Sequence, residues 1–165
     1  MLPNIKTILY CTSLGPHAPY IFGYACTLAK SLDAKIVALH VIETLNNKQR
    51  TLLQTYAGHG RLHELLDQAH EQAVAEFPKQ VRERLKPVCS DAWDRLVSEV
   101  LVLEGDAETR ILETITARNA DLVVVGAHTE SSLLDRMIGS TARSLAKKSP
   151  VPVLIVQVPE DVGNK

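Results

Sequence analysis

The sequence predicts an open α/β domain built on a parallel sheet of five strands. Five short apolar runs alternate with segments of helical periodicity, which is the pattern of strand–helix–strand units. The runs are rich in valine, isoleucine and leucine at consecutive positions, as in strands that helices cover on both faces. Right-handed crossovers between parallel strands then favour the spatial order 3-2-1-4-5, with a switch point between strands one and four.

The predicted elements follow this alternation from end to end. Strands are predicted at 7–11, 36–42, 97–103, 121–125 and 153–156. Helices are predicted from Pro19, from Arg61, over 107–118 and from Gly139. Pro78 lies inside the second of these helices and removes a backbone donor, so we expect a kink or a break there.

Two segments do not fit the alternation. Residues 44–60 are polar and include Asn46-Asn47 and two glycines, which predicts a mobile loop with a short helical piece around Leu52-Leu53. A loop of this length is either a lid or partner surface, or an insertion without a role, and the sequence leaves both open. Residues 159–165 are predicted to form a frayed tail. The chain 1–165 is interpreted as a single domain.

Composition argues against several classes of function. The net charge is −1 and there is no sustained basic block, so nothing favours a nucleic-acid partner. The longest apolar runs are far shorter than the roughly 20 residues that cross a bilayer, so no membrane association is expected. Cys11, Cys26 and Cys89 form no CxxC pair and fit apolar core positions in a reducing compartment. These features favour a cytoplasmic protein.

A candidate ligand site lies where the fourth strand ends and the last helix begins. Gly126 ends the strand, and Gly139 opens the helix together with Ser140 and Thr141. The first turn of a helix carries unpaired amides and a partial positive charge, and hydroxyl groups add donors. The pattern suits a phosphate site, but the spacing alone is more often that of a glycine that only makes a turn and a serine that only caps a helix.

The same stretch resembles the nucleotide-binding signature of the universal stress protein (UspA-like) family. That signature is glycine, two residues, glycine, nine residues, glycine, then serine or threonine. Gly126, Thr129, Gly139 and Ser140 occupy these positions, with Thr129 in place of the second glycine. The resemblance extends to four further segments, 8–12, 38–42, 104–112 and 149–156. The chain is identified as a member of this family.

The resemblance implies a Rossmann-like fold of the adenine nucleotide alpha-hydrolase-like type and a bound adenine nucleotide, ATP or AMP. Mg²⁺ is expected only as a companion of the nucleotide. Family members that bind ATP contact it with a carboxylate after the first strand, where this chain has Ser13. Val41 matches the residue that touches adenine. The candidate binding residues are Thr12, Ser13, Val41, Val125, Gly126, His128, Thr129, Gly139, Ser140 and Thr141.

Three functions remain open on the sequence. The first is a regulatory or protective module of the stress response that binds ATP or AMP without fast turnover. Ser13 and Thr129 depart from the family's motif and favour the second, a nucleotide-free dimeric interaction protein. The third is a slow ATP hydrolase with His128 as a base. No P-loop lysine and no Gly-x-Ser-x-Gly elbow support catalysis, so no catalytic residue is assigned.

Two further features concern metals and partners. His59, His63 and His70 fall on one helical stripe and form a candidate transition-metal set, although exposed helix histidines are common without a metal. Val153–Val156 would be an apolar edge strand, which invites aggregation unless it is covered. Family members pair this strand with its copy, so the resemblance implies a homodimer, and a regulatory protein partner is expected in addition.

Overall fold

Five parallel strands form one sheet in the order β3-β2-β1-β4-β5, as the sequence predicts. The structure is a computed structural model that describes residues 1–44, 47–57, 59–127, 138–159 and 162. The strands are β1 (Thr7–Cys11), β2 (Lys35–Ile42), β3 (Val97–Glu104), β4 (Leu122–Gly126) and β5 (Val153–Val156). Each neighbouring pair is parallel, and this confirms the predicted fold class.

Helices connect the strands and cover both faces of the sheet. They are α1 (Ala18–Leu32), α2 (Asn47–Ala57), α3 (His59–Cys89), α4 (Trp93–Leu96), α5 (Ala107–Ala117) and α6 (Ser140–Lys148). One turn of 3-10 helix, Ser90–Ala92, joins α3 to α4.

Side chains of β1 enter two separate cores in alternation. Ile8 and Tyr10 belong to the core that includes residues of α1, α3 and α4, where the Tyr10 and Phe22 rings are 5.1 Å apart. Leu9 belongs to the opposite core, with residues of α5 and α6. Ile8, Leu9 and Tyr10 are completely buried. Burial of one such apolar side chain contributes about 1.5–3 kcal/mol, so both faces stabilise the central strand.

Residues 47–57 form helix α2, which confirms the helical piece predicted around Leu52-Leu53 but makes it much longer than expected, so the predicted loop is wrong over the rest of this range. The hydroxyl groups of Thr51 and Thr55 donate to carbonyls one turn earlier, at 2.8 and 2.9 Å. Leu52 and Tyr56 remain 61% and 83% exposed. The segment has a polar composition because this helix buries little surface and needs few apolar residues. It therefore lacks the apolar stripe by which a helix is usually recognised in a sequence.

Helix α3 continues through Pro78, so the predicted break does not occur. A proline inside a helix removes the hydrogen bond to the carbonyl four residues earlier, which here belongs to Val74. Val74 is 39% exposed. Water at this surface can take the place of the missing donor, and the helix continues to Cys89.

Asp121 joins the first strand to the fourth where both begin. Its Oδ2 accepts hydrogen bonds from the amides of Lys6 and Thr7, at 2.8 and 2.9 Å. We expect Asp121→Ala to lower the free energy of unfolding by about 1–3 kcal/mol, because two amides lose their acceptor. Urea denaturation measures the change. Asp121→Asn keeps an acceptor oxygen and should cost much less, and equal losses in the two variants would contradict this role.

No helix within the described residues is both long enough and apolar enough to span a membrane.

Candidate functional site

A cavity of about 520 Å³ lies at the carboxyl ends of β1, β2 and β4. Its volume is within the range of about 300–1,000 Å³ that is typical of small-molecule sites. The cavity also lies at the switch point, because the chain passes from β1 to β2 on one side and from β4 to β5 on the other. Open parallel sheets bind ligands at this place.

The strand ends bring five of the predicted site residues to the cavity. Thr12 and Ser13 follow β1, Val41 lies in β2, and Val125 and Gly126 end β4. They meet because parallel strands that start in register also end side by side. The register of β1 with β2 and with β4 aligns these three ends.

The start of α6 supplies two more of the predicted residues. Gly139 and Thr141 line the cavity, whereas Ser140, between them, is not among its lining residues. His128 and Thr129 lie outside the described residues. Seven of the ten predicted positions are thus found around one cavity.

Interactions with α3 hold the turn between β1 and α1, which forms one wall of the cavity. The amide of Leu14 donates to Thr12 Oγ1 at 2.9 Å, and Leu14 has a φ of 56°, which is rare for a leucine. The guanidinium of Arg84 donates to the carbonyl of Leu14 and, at 3.2 Å, to that of Gly15. These bonds fix an otherwise unfavourable backbone conformation beside Thr12 and Ser13.

The amino end of α6 has no side-chain cap, because Gly139 is its N-cap residue. The Gly139 amide donates to the Ala127 carbonyl at 2.7 Å. In the described part of the chain, no acceptor takes the amides of Ser140, Thr141 and Ala142, and Ala142 is only 3% exposed. Unpaired amides and the helix dipole make this end of the cavity suitable for an anion.

The amino end of α5 also borders the cavity, through Ala107 and Ile111, but it already carries a carboxylate. Asp106 Oδ2 accepts from the amide of Thr109 at 2.9 Å and from its hydroxyl at 2.7 Å. These bonds lower the pKa of Asp106 below its usual value, because they stabilise the ionised form. Of the two helix ends at the cavity, that of α5 is capped by a carboxylate and that of α6 has no side-chain cap.

His40 lines the cavity and was not singled out in the sequence. Its Nδ1 lies 2.9 Å from the Thr12 carbonyl oxygen, and its ring stacks on Phe77 at a centroid distance of 4.0 Å. Burial lowers the pKa of His40 and so favours the neutral ring. The available signal was a lone histidine within the apolar run of β2, next to Val41.

Cys11 is the thiol that borders the cavity. Burial raises its pKa to about 12, so the group is a neutral thiol near pH 7. Because the thiolate is the nucleophilic form, Cys11 acts here as a small apolar wall residue.

The histidines of the candidate metal set take different partners. His63 lies 3.7 Å from Asp67 on α3, and His70 lies 3.1 Å from Glu104 on β3. The side chain of His59 is outside the described part. Across the side chains that the structure describes, no group of three or more potential ligands is gathered for a metal ion.

The fold and the cavity define an open parallel α/β domain with a ligand-sized site at its switch point. The chain belongs to the universal stress protein family, whose family model matches residues 4–157. Universal stress protein MJ0577 of Methanocaldococcus jannaschii is 25% identical over 155 residues, which cover 92% of this chain and 94% of that protein. Stress response protein NhaX of Bacillus subtilis is 26% identical over 143 residues, covering 81% and 86%.

Solved structures of the family share the fold. Universal stress protein UspA from Lactobacillus plantarum matches with a TM-score of 0.74 and 19% identity, covering 94% of this chain and 99% of its own. A universal stress protein solved in complex with cAMP matches with a TM-score of 0.55 and 19% identity, covering 94% and 98%.

Proposed function

We propose that this universal stress protein binds an adenine nucleotide, ATP or AMP, and acts as a regulatory or protective module of the stress response. The observation that carries the proposal is the cavity at the switch point, which borders the uncapped amino end of α6. A single cavity thus has, among the described residues, amides without an acceptor at one side, which suit phosphate, and apolar strand ends at the other, which suit a base. The cAMP complex of a protein with the same fold supports this choice of ligand class.

The proposed orientation follows from the walls of the cavity. Phosphate groups rest between Gly126 and the amides at the start of α6, where the helix dipole favours negative charge. The base lies between Val41 and the turn after β1. Ser13 can donate a hydrogen bond to a ribose hydroxyl but has no charge. Any Mg²⁺ would enter as a companion of the nucleotide phosphates.

Binding without fast turnover is supported by two groups in the wall of the cavity, Cys11 and Tyr10. Cys11 is held as a neutral thiol by burial. The hydroxyl of Tyr10 donates to the Ala18 carbonyl at 3.0 Å, and burial raises its pKa. Neither group serves as a nucleophile or a base at neutral pH. Slow ATP hydrolysis remains the alternative to test through phosphate release.

Titration calorimetry of the purified protein with ATP and with AMP tests the proposed function. We expect saturable binding of at least one of them, with a dissociation constant below about 1 mM. The reason is that several amides at the start of α6, which have no acceptor among the described residues, can bind one phosphate group. A titration with inorganic phosphate separates recognition of the whole nucleotide from anion binding alone. No saturable heat with either nucleotide at millimolar concentration would contradict the proposal and favour the nucleotide-free interaction protein.

The described surface provides the observation behind that second candidate function. Leu52 and Tyr56 on α2 and Leu65 on α3 are more than half exposed. Exposed apolar side chains near one another suit a protein partner. In either case we propose a cytoplasmic protein with a regulatory protein partner.

We also propose that two copies of the chain pair through β5. The carbonyls of Pro152 and Val156 accept from β4, at 3.0 and 2.8 Å. Since backbone groups of successive residues alternate sides in a strand, Val153 and Ile155 direct theirs to the open edge. An apolar strand with free edge groups is a template for another strand, and pairing with a second copy covers it.

A further inference from the structure

The hydrogen bonds of His40 determine which of its ring nitrogens carries the proton. The Thr12 carbonyl oxygen, 2.9 Å from Nδ1, can only accept a hydrogen bond. Nδ1 must therefore be the protonated nitrogen. In the neutral ring that burial favours, Nε2 then has a free lone pair and is a hydrogen-bond acceptor.

The surroundings of His40 leave this acceptor available to a ligand. Phe77 covers one face of the ring with nearly parallel planes, at 10°, and Thr12 occupies the Nδ1 side. Among the described residues, no hydrogen-bond or ion-pair partner of Nε2 is found. His40 also lines the cavity, so a ligand there lies beside this residue.

We propose that His40 Nε2 accepts a hydrogen bond from the 6-amino group of a purine and makes the site selective for 6-aminopurines over 6-oxopurines. This inference rests on the proposed nucleotide binding. The ring of His40 contacts Thr12 in the turn after β1, one of the two elements that would hold the base, and lies on the opposite face of the sheet from the side chain of Val41. An adenine amine donates to such an acceptor. The 6-oxo group of hypoxanthine or guanine is itself an acceptor. It cannot form a hydrogen bond with His40 Nε2, because both atoms would present lone pairs to each other.

The fixed ring makes the discrimination strong. A histidine that was free to rotate could present either nitrogen and serve a donor or an acceptor equally well. Here the Thr12 carbonyl holds the tautomer, and the stack on Phe77 holds the ring plane. A ligand that leaves a buried polar group without a hydrogen bond loses more binding free energy than one ordinary hydrogen bond contributes.

The test compares ATP with inosine triphosphate, which carries a 6-oxo group on the same sugar and phosphates. We expect the unaltered protein to bind ATP about tenfold more tightly, as for one lost hydrogen bond. His40→Phe keeps an aromatic ring on Phe77 but has no acceptor. His40→Asn keeps a donor for Thr12 but has no acceptor at the place of Nε2. Both variants should reduce the ratio to about twofold or less by weakening ATP.

Controls separate the possible outcomes. His63→Phe removes an exposed histidine of α3 and should leave both affinities unchanged, and thermal melting shows whether each variant is folded. Binding of neither nucleotide by the unaltered protein would overturn the proposed function together with the inference. If ATP binds but a folded His40 variant keeps the tenfold ratio, only the inference is overturned. It is also overturned if the variants instead lose discrimination against 2′,3′-dideoxy-ATP, because the acceptor would then serve the sugar.

Discussion

Gly139→Asp should weaken ATP binding by at least about a hundredfold while the protein remains folded. The new carboxylate would lie at the N-cap of α6, next to the amides that hold the phosphates in the proposed orientation. Two like charges about 5 Å apart, at an effective dielectric constant of about 20, repel by roughly 3 kcal/mol. Titration calorimetry with ATP measures the loss.

The backbone conformation at Gly139 accepts an aspartate without strain. Its φ of −59° and ψ of 159° are open to any residue, and aspartate is a favourable N-cap. Gly139→Asn is the matched control, because it has nearly the same shape and capping ability without the charge. If both variants bind ATP equally well, phosphate does not rest at α6, and the proposed orientation is wrong.

Ile155→Pro should convert a dimer into a monomer. Ile155 directs its amide to the open edge of β5, whereas the carbonyls of Pro152 and Val156 face β4. Proline at this position removes an outward donor and leaves the hydrogen bonds to β4 in place. A strand of four residues offers few outward groups, so the loss of one donor together with the added ring is a large part of the interface.

Light scattering coupled to gel filtration, at micromolar protein, measures this effect. Ile155→Val is the control, because it keeps both the amide and a β-branched side chain and should remain dimeric. An unaltered chain that runs as a monomer would refute the proposed pairing outright. A dimeric Ile155→Pro variant would place the contact on another surface.

The fold could be predicted because its signals are local. The nearly uninterrupted apolar runs at 36–42 and 122–125 indicate strands that are buried on both faces, and helical periodicity lies between such runs. Parallel order then follows from the helical crossovers between the strands and from their handedness. Only the centre of helix α2, around Leu52-Leu53, was predicted, because no apolar stripe marks its full length and its contacts are made with α3.

The site could be predicted where a strand end or a helix start fixes a position. Gly126 and Gly139 were predicted in this way, the family resemblance implied Val125, and all three line the cavity. His40 could not be assigned, because its role depends on contacts with Thr12 and Phe77, which are 28 and 37 positions away in the sequence. The effect of Thr129 on phosphate binding stays a prediction, since that residue lies outside the described part.

Arg84 gives the longest helix a mechanical connection to the ligand site. Helix α3 has 31 residues and is therefore about 46 Å long, and most of residues 60–76 are exposed. The guanidinium of Arg84, on this helix, donates hydrogen bonds to the carbonyls of Leu14 and Gly15 beside the cavity. If α3 tilts, the turn between β1 and α1 must move with it, or the hydrogen bonds from Arg84 to this turn must break. A displacement of the outer part of this helix would thus reach the wall of the cavity through Arg84.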